Sequence, residues 1–98
     1  MVNKIKWPSD VPKFYAKDIC KGQFSDGDKR CAWEHIWKTF GLDSRAAKEA
    51  TRVFQRVNKV GLIASWNDRE DVTKGQIARA LNKMVKELGY VGLRRKDS

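Results

Sequence analysis

The chain has 98 residues, 41% of them hydrophobic and 34% charged, with a net charge of +9 and a pI near 9.8. That length suits one domain with a modest core. The 21 Lys and Arg against 12 Asp and Glu exclude an acidic mimic of nucleic acid and favour contact with a polyanion.

No run of about 18 apolar residues is present, as a membrane-crossing helix would need. No apolar leader precedes MVNKIKWPSD, and Cys20 and Cys31 make no metal motif, so a cytoplasmic protein with reduced thiols is expected.

In chain order, SDVP at 9–12 signals a helix start. Ser9 or Asp10 is the expected cap, Pro12 lies in the first turn, and the short helix stops at Gly22. SDGD at 25–28 is turn chemistry, in which Gly27 tolerates positive φ and Asp28 is placed to cap the next helix. That helix, KRCAWEHIWKTF at 29–40, sets Trp33, Ile36, Trp37 and Phe40 on one arc of about 100°. Gly41 ends it.

The connection GLDS leads to a third helix, RAAKEATRVFQRVNKV at 45–60. Its inward stripe is Ala46, Ala50, Val53, Phe54, Val57 and Val60. GLIASW could be a strand but has no partner strand. Residues 66–72 then read as a reversing connection, with Trp66 as its apolar anchor and Asn67 and Asp68 bonding to local amides.

Thr73 and Gln76 form a capping box, and Ile77, Ala80, Leu81, Met84, Val85 and Leu88 follow helical spacing to a left-handed stop at Gly89. The expected fold is all-α, a compact bundle of about four helices forming a single domain over 1–98. Its ends, 1–8 and 91–98, are expected to be flexible. Its expected core holds Trp33, Trp37, Phe40, Phe54, Trp66, Ile77, Leu81 and Leu88.

ICKGQF, DGDKRCAW and WNDREDVT, in that order, resemble a family of small uncharacterised domains found in bacterial and phage genomes. The pattern is K-G, then D-G-x-x-R-x-C-A or a close variant, then an aromatic-N-D-x-x-x-x-T followed by a helix. Lys21, Gly22, Asp26, Gly27, Cys31, Ala32, Trp66, Asn67, Asp68 and Thr73 match it, and the resemblance spans about residues 14–88. The chain departs from it at Glu34, where the family often has Gly, and at Glu70, Asp71 and Val72, which replace Pro-Gly-Arg. The resemblance implies a helical layout and a phage or bacterial origin, and supplies no mechanism.

Catalytic signals are weak. Cys31 and His35 stand one helical turn apart and Cys20 could add a third ligand, but zinc wants four ligands in recognisable pairs. A Cys-His nucleophile pair has nothing to orient the imidazole. His35 reads instead as a partly exposed helix residue. SDGD lacks the further ligands of a calcium loop, and the glycines form no phosphate fingerprint. No enzyme activity, metal, cofactor or small-molecule substrate is expected.

The sharper signal is charge. Arg45, Lys48, Arg52, Arg56 and Lys59 fall within an arc of about 80° on the third helix, opposite its apolar stripe, with Glu49 at the border. Arg79, Lys83 and Lys86 share the outward face of the last helix. A solvated basic surface, a polyanion site and a surface for an acidic protein all fit this pattern. A DNA-reading helix-turn-helix fits poorly, because Trp37 stands where two closely crossing helices want a small residue. The expected function is a non-catalytic binding protein of phage or bacterial accessory type that contacts nucleic-acid backbone through these eight cations. The alternative is an inhibitor or adaptor binding a host or phage protein.

Overall fold

The computed structural model describes residues 7–8, 11–23 and 25–89. The cap expected at Ser9 or Asp10 lies outside them, as do the ends expected to be flexible, 1–8 and 91–98, except for residues 7–8, where Trp7 packs against the core. Within them the chain forms a two-stranded hairpin, β1 (Ser25–Asp26) and β2 (Lys29–Arg30), and four helices. The helices are α1 (Ala32–Phe40), α2 (Arg45–Asn58), α3 (Ile63–Asn67) and α4 (Lys74–Leu88). The mostly helical class holds, but the first expected helix, the start of α1 and the segment 61–66 differ from expectation.

No helix runs from Pro12 to Gly22. Residues 11–15 are irregular and only Ala16–Asp18 makes a 3-10 turn. The backbone there is claimed from outside: Phe14 N–H donates to Asn82 Oδ1, and Asn82 Nδ2 donates to Phe14 C=O, both at 2.9 Å. A helix would need those two groups for itself. The reciprocal pair lays the segment on α4 and seats Val11, Phe14 and Ile19 in the core.

The second change is at the hairpin. Asp26 pairs with Lys29 across Gly27 and Asp28, and Gly27 takes φ +63, the first-position left-handed residue of a type II′ turn. Lys29 and Arg30 therefore belong to a strand, and α1 begins later than the sequence suggests. Its cap is Cys31, whose Sγ accepts from Glu34 N–H at 3.4 Å, in place of Asp28.

α1 buries Ala32, His35, Ile36 and Phe40. Trp33 and Trp37 sit half-buried at its flank with their rings 5.2 Å apart, and Trp66 is half-buried edge-on to Phe54 at 5.6 Å. These three indoles rim the core that they were expected to fill, while Phe40, Phe54, Ile77, Leu81 and Leu88 lie inside it. A ring system this large with a polar N–H is seldom wholly enclosed in a small domain. Trp7 adds a further ring, edge-on to Phe40 at 5.8 Å.

α2 packs chiefly on α4 and then on α1. Ala46, Ala47 and Ala50 are fully buried, so its first half can approach its neighbours closely. Near its end Asn58 Nδ2 donates to Phe54 C=O at 3.0 Å and across to Ala80 C=O at 3.2 Å. The helix closes on Lys59 in the left-handed region at φ 53. Thr73 and Gln76 form the expected capping box of α4, but Gly89 is right-handed at φ −58 and makes no left-handed stop.

GLIASW is neither strand nor simple loop. Its second half is the short helix α3, which ends in Asn67 at 0% exposure. Asn67 Oδ1 accepts from Ala32 N–H at 2.8 Å, and its Nδ2 donates to Cys20 C=O at 3.0 Å. Just before this point Ile19 pairs in parallel with Arg30, and Cys20 N–H donates to Arg30 C=O at 3.1 Å. The next bond of such a ladder would run from Ala32 N–H to Cys20 C=O, and the Asn67 carboxamide is inserted between those two groups.

Only a side chain with both a donor and an acceptor can fill that place. Asn67→Asp keeps the acceptor, loses the donor and buries a charge beside Asp68. Urea denaturation is expected to show a loss of about 2–4 kcal/mol, whereas a loss below about 0.5 kcal/mol would show the amide to be dispensable. Trp66→Ala, which removes a half-buried ring, is expected to cost about 2–4 kcal/mol by the same measurement.

Candidate nucleic-acid interface

The residues of the sequence pattern meet at one junction, and their roles there are structural. Gly22 N–H, at φ +82, donates to Asp68 Oδ1 at 2.7 Å. Lys21 Nζ donates to the carbonyls of Arg69 and Val72, tying the loop after α3 to the strand-like segment before the hairpin. Cys31 caps α1, Ala32 meets Asn67, and Thr73 caps α4. Asn67 and Asp68 were expected to bond locally. They reach instead across 35 to 47 positions of chain, which spacing along the sequence does not display.

The groups that looked reactive are occupied. Burial pushes the Cys20 thiol up from its ordinary pKa, with the Cys31 sulfur adding to the shift, and burial likewise raises Cys31. Both are free thiols, held in the protonated, weakly nucleophilic form. His35 is buried, not partly exposed: its ring lies edge-on to Phe14 at 5.3 Å, and Nε2 donates to Asp18 C=O at 2.7 Å. A carbonyl can only accept, so the proton sits on Nε2. No group of three metal-ligating side chains occurs among the described residues.

The cations expected to form the interface are all exposed. Arg45, Lys48, Arg52, Arg56 and Lys59 run along α2 and its cap, opposite Ala46, Ala50, Val53 and Phe54. At about 1.5 Å per residue the row is about 21 Å long. Glu49 pairs with Arg52 at 3.8 Å, a loose contact with Arg52 80% exposed, so it neutralises little of the row. Arg45, Lys48, Glu49 and Arg52 line a shallow depression of about 120 Å³ at the start of the helix. Arg79, Lys83 and Lys86 are exposed on α4, opposite its buried Ile77, Leu81 and Val85.

The electrostatics of α2 run against its own dipole. Its first turn holds no acidic residue, and Arg45 and Lys48 stand where the helix end is already positive. Each such placement costs an exposed helix about 0.3–1 kcal/mol at low salt. Bound anions reverse that sign, because the same end gathers amide dipoles and two cations.

Among the described residues no helix is long and apolar enough to cross a membrane. Comparison with protein-family models, with curated proteins and with solved structures returns no match.

Burial holds the His35 pKa below its ordinary 6.5, with the Arg30 charge acting the same way against the opposing Asp18 hydrogen bond. The unfolded chain then binds a proton that the folded chain refuses, so the stability from this site is complete above about pH 6.5 and is lost as pH falls toward the folded pKa. Stability measured between about pH 7.5 and 5 should fall more steeply for wild type than for His35→Gln. Parallel curves would show that His35 does not contribute to the acid sensitivity.

Proposed function

We propose that this is a small non-catalytic binding protein of phage or bacterial accessory type whose α2 face contacts the sugar-phosphate backbone of duplex nucleic acid. The observation that carries this reading is the placement of Arg45 and Lys48 at the start of α2, against the helix dipole and with no acidic residue in the first turn. A merely soluble surface gains nothing from that arrangement, whereas a phosphate there meets two cations and the helix end together.

Duplex is favoured over single strand by what the face lacks. Single-strand binders stack bases on exposed aromatics, and the large exposed hydrophobics among the described residues are Tyr15, Leu42 and Leu62, none of them on α2. A row of exposed Lys and Arg along one helix face suits contacts to phosphates, which fix position without reading sequence. Arg79, Lys83 and Lys86 are a second outward set on the helix against which α2 packs.

A second reading, a protein-binding inhibitor or adaptor, draws on Leu42 and Leu62, exposed at 75% and 76%. Salt separates the two. If four or five of the α2 cations neutralise phosphates, log affinity should fall against log salt with a slope near −4, while an apolar interface should be far less sensitive.

In a low-salt titration of duplex DNA and RNA, Arg52→Glu with Arg56→Glu is expected to abolish binding. The fold should be spared, since exposed substitutions change stability by about 0.5 kcal/mol or less. Equal binding by wild type and variant, or none by wild type, would reject the nucleic-acid role of α2 and leave the protein-partner reading ahead.

A further inference from the structure

A cleft among the described residues lies away from the α2 row. It holds about 400 Å³ between segment 11–18, the hairpin and α1, within the ~300–1,000 Å³ usual for small-molecule sites. Three cations from different parts of the chain line it: Lys13 from the N-terminal segment, its ammonium 5.9 Å from the Tyr15 ring; Arg30 from β2, whose Nη1 donates to Asp28 C=O at 3.4 Å; and Lys38 from α1. Asp18 and Asp28 line the same cleft. Even so, none of the three cations lies within ion-pair distance of a carboxylate among the described residues. The floor is fixed, because His35 is held by the Asp18 carbonyl and by the edge of Phe14.

We propose that this cleft binds a nucleotide-sized phosphate monoester, independently of the α2 face. Cations held apart on separate elements suit a group with three charged oxygens pointing in different directions, and Arg30 can grip two of them at once. The volume exceeds what a bare phosphate needs, so the esterified portion occupies the remainder. The two carboxylates then have a use, as acceptors for amino or hydroxyl donors on that portion. Such a ligand was not expected from the sequence, where Lys13, Arg30 and Lys38 are scattered over 25 positions of an evenly basic chain. The monoester is either a free mononucleotide or the 5′-phosphate end of a strand, and the two share this chemistry.

The test is an amide-resolved NMR titration of the full chain with adenosine 5′-monophosphate, and with adenosine as the phosphate-free control. Saturable shifts centred on Arg30, His35 and Lys38 are expected with the monophosphate and not with adenosine. Lys13→Ala with Lys38→Ala, both exposed positions, should weaken binding by about tenfold or more, the scale of losing charged hydrogen bonds. Arg52→Glu with Arg56→Glu should leave it unchanged, which separates this site from the duplex-binding face.

A 5′-phosphorylated oligonucleotide binding much more tightly than the monophosphate would identify a strand end as the source, and comparable affinity would identify the free nucleotide. Either result stands with the proposal. No saturable shift, equal response to adenosine, full binding by the Lys13 and Lys38 variant, or loss in the α2 variant would overturn it.

Discussion

One buried carboxamide joins the parts of this molecule that lack regular structure of their own. Asn67 takes the amide hydrogen of Ala32 at the start of α1 and returns a hydrogen to Cys20 C=O in the segment before the hairpin. Without it two buried backbone groups would lose their partners, each at a cost of about 1–3 kcal/mol. Asp68 and Lys21 surround the same joint, Asp68 by accepting from Gly22 N–H and Lys21 by closing the carbonyls after α3. The hairpin, α1 and α3 thereby become one unit against which α2 and α4 pack. Asn82 performs a parallel service, holding the extended stretch around Phe14 to α4.

That arrangement separates stability from charge. The core and the two asparagine joints involve few of the basic residues, with Lys21 the main exception. Among the described residues the side chains of the α2 row make one ion pair, the loose contact of Arg52 to Glu49. A protein built this way can carry dense positive charge because its fold rests on apolar packing and neutral amides. The cost appears where repulsion meets the helix dipole, at Arg45 and Lys48, and a bound polyanion would relieve it.

The cleft lined by Lys13, Arg30 and Lys38 follows the same division in a different place. Its cations come from an irregular segment, a strand and a helix, so their placement around one cleft depends on the joints that hold those pieces together. Asp18 holds the His35 ring through its carbonyl and also lines the cleft, linking the local packing to the opening. The recognition proposed for α2 would rest on one helix surface. In the cleft it would rest on the assembled fold.

The sequence by itself determined the elements whose signals are periodic or local. The stripe of α2, the stripe and capping box of α4, the Gly27 turn and the exposure of the eight cations all follow from residues within one or two turns of each other. The positions of α3 and the start of α1, the loss of a helix after Pro12, the burial of His35 and the role of Asn67 were decided only in the tertiary structure. In each of these a backbone group was taken by a side chain from elsewhere in the chain: Phe14 by Asn82, Ala32 and Cys20 by Asn67, Asp18 by His35. Local propensity is worth a few tenths of a kcal/mol per residue, and one buried hydrogen-bonding group left without a partner outweighs several such preferences.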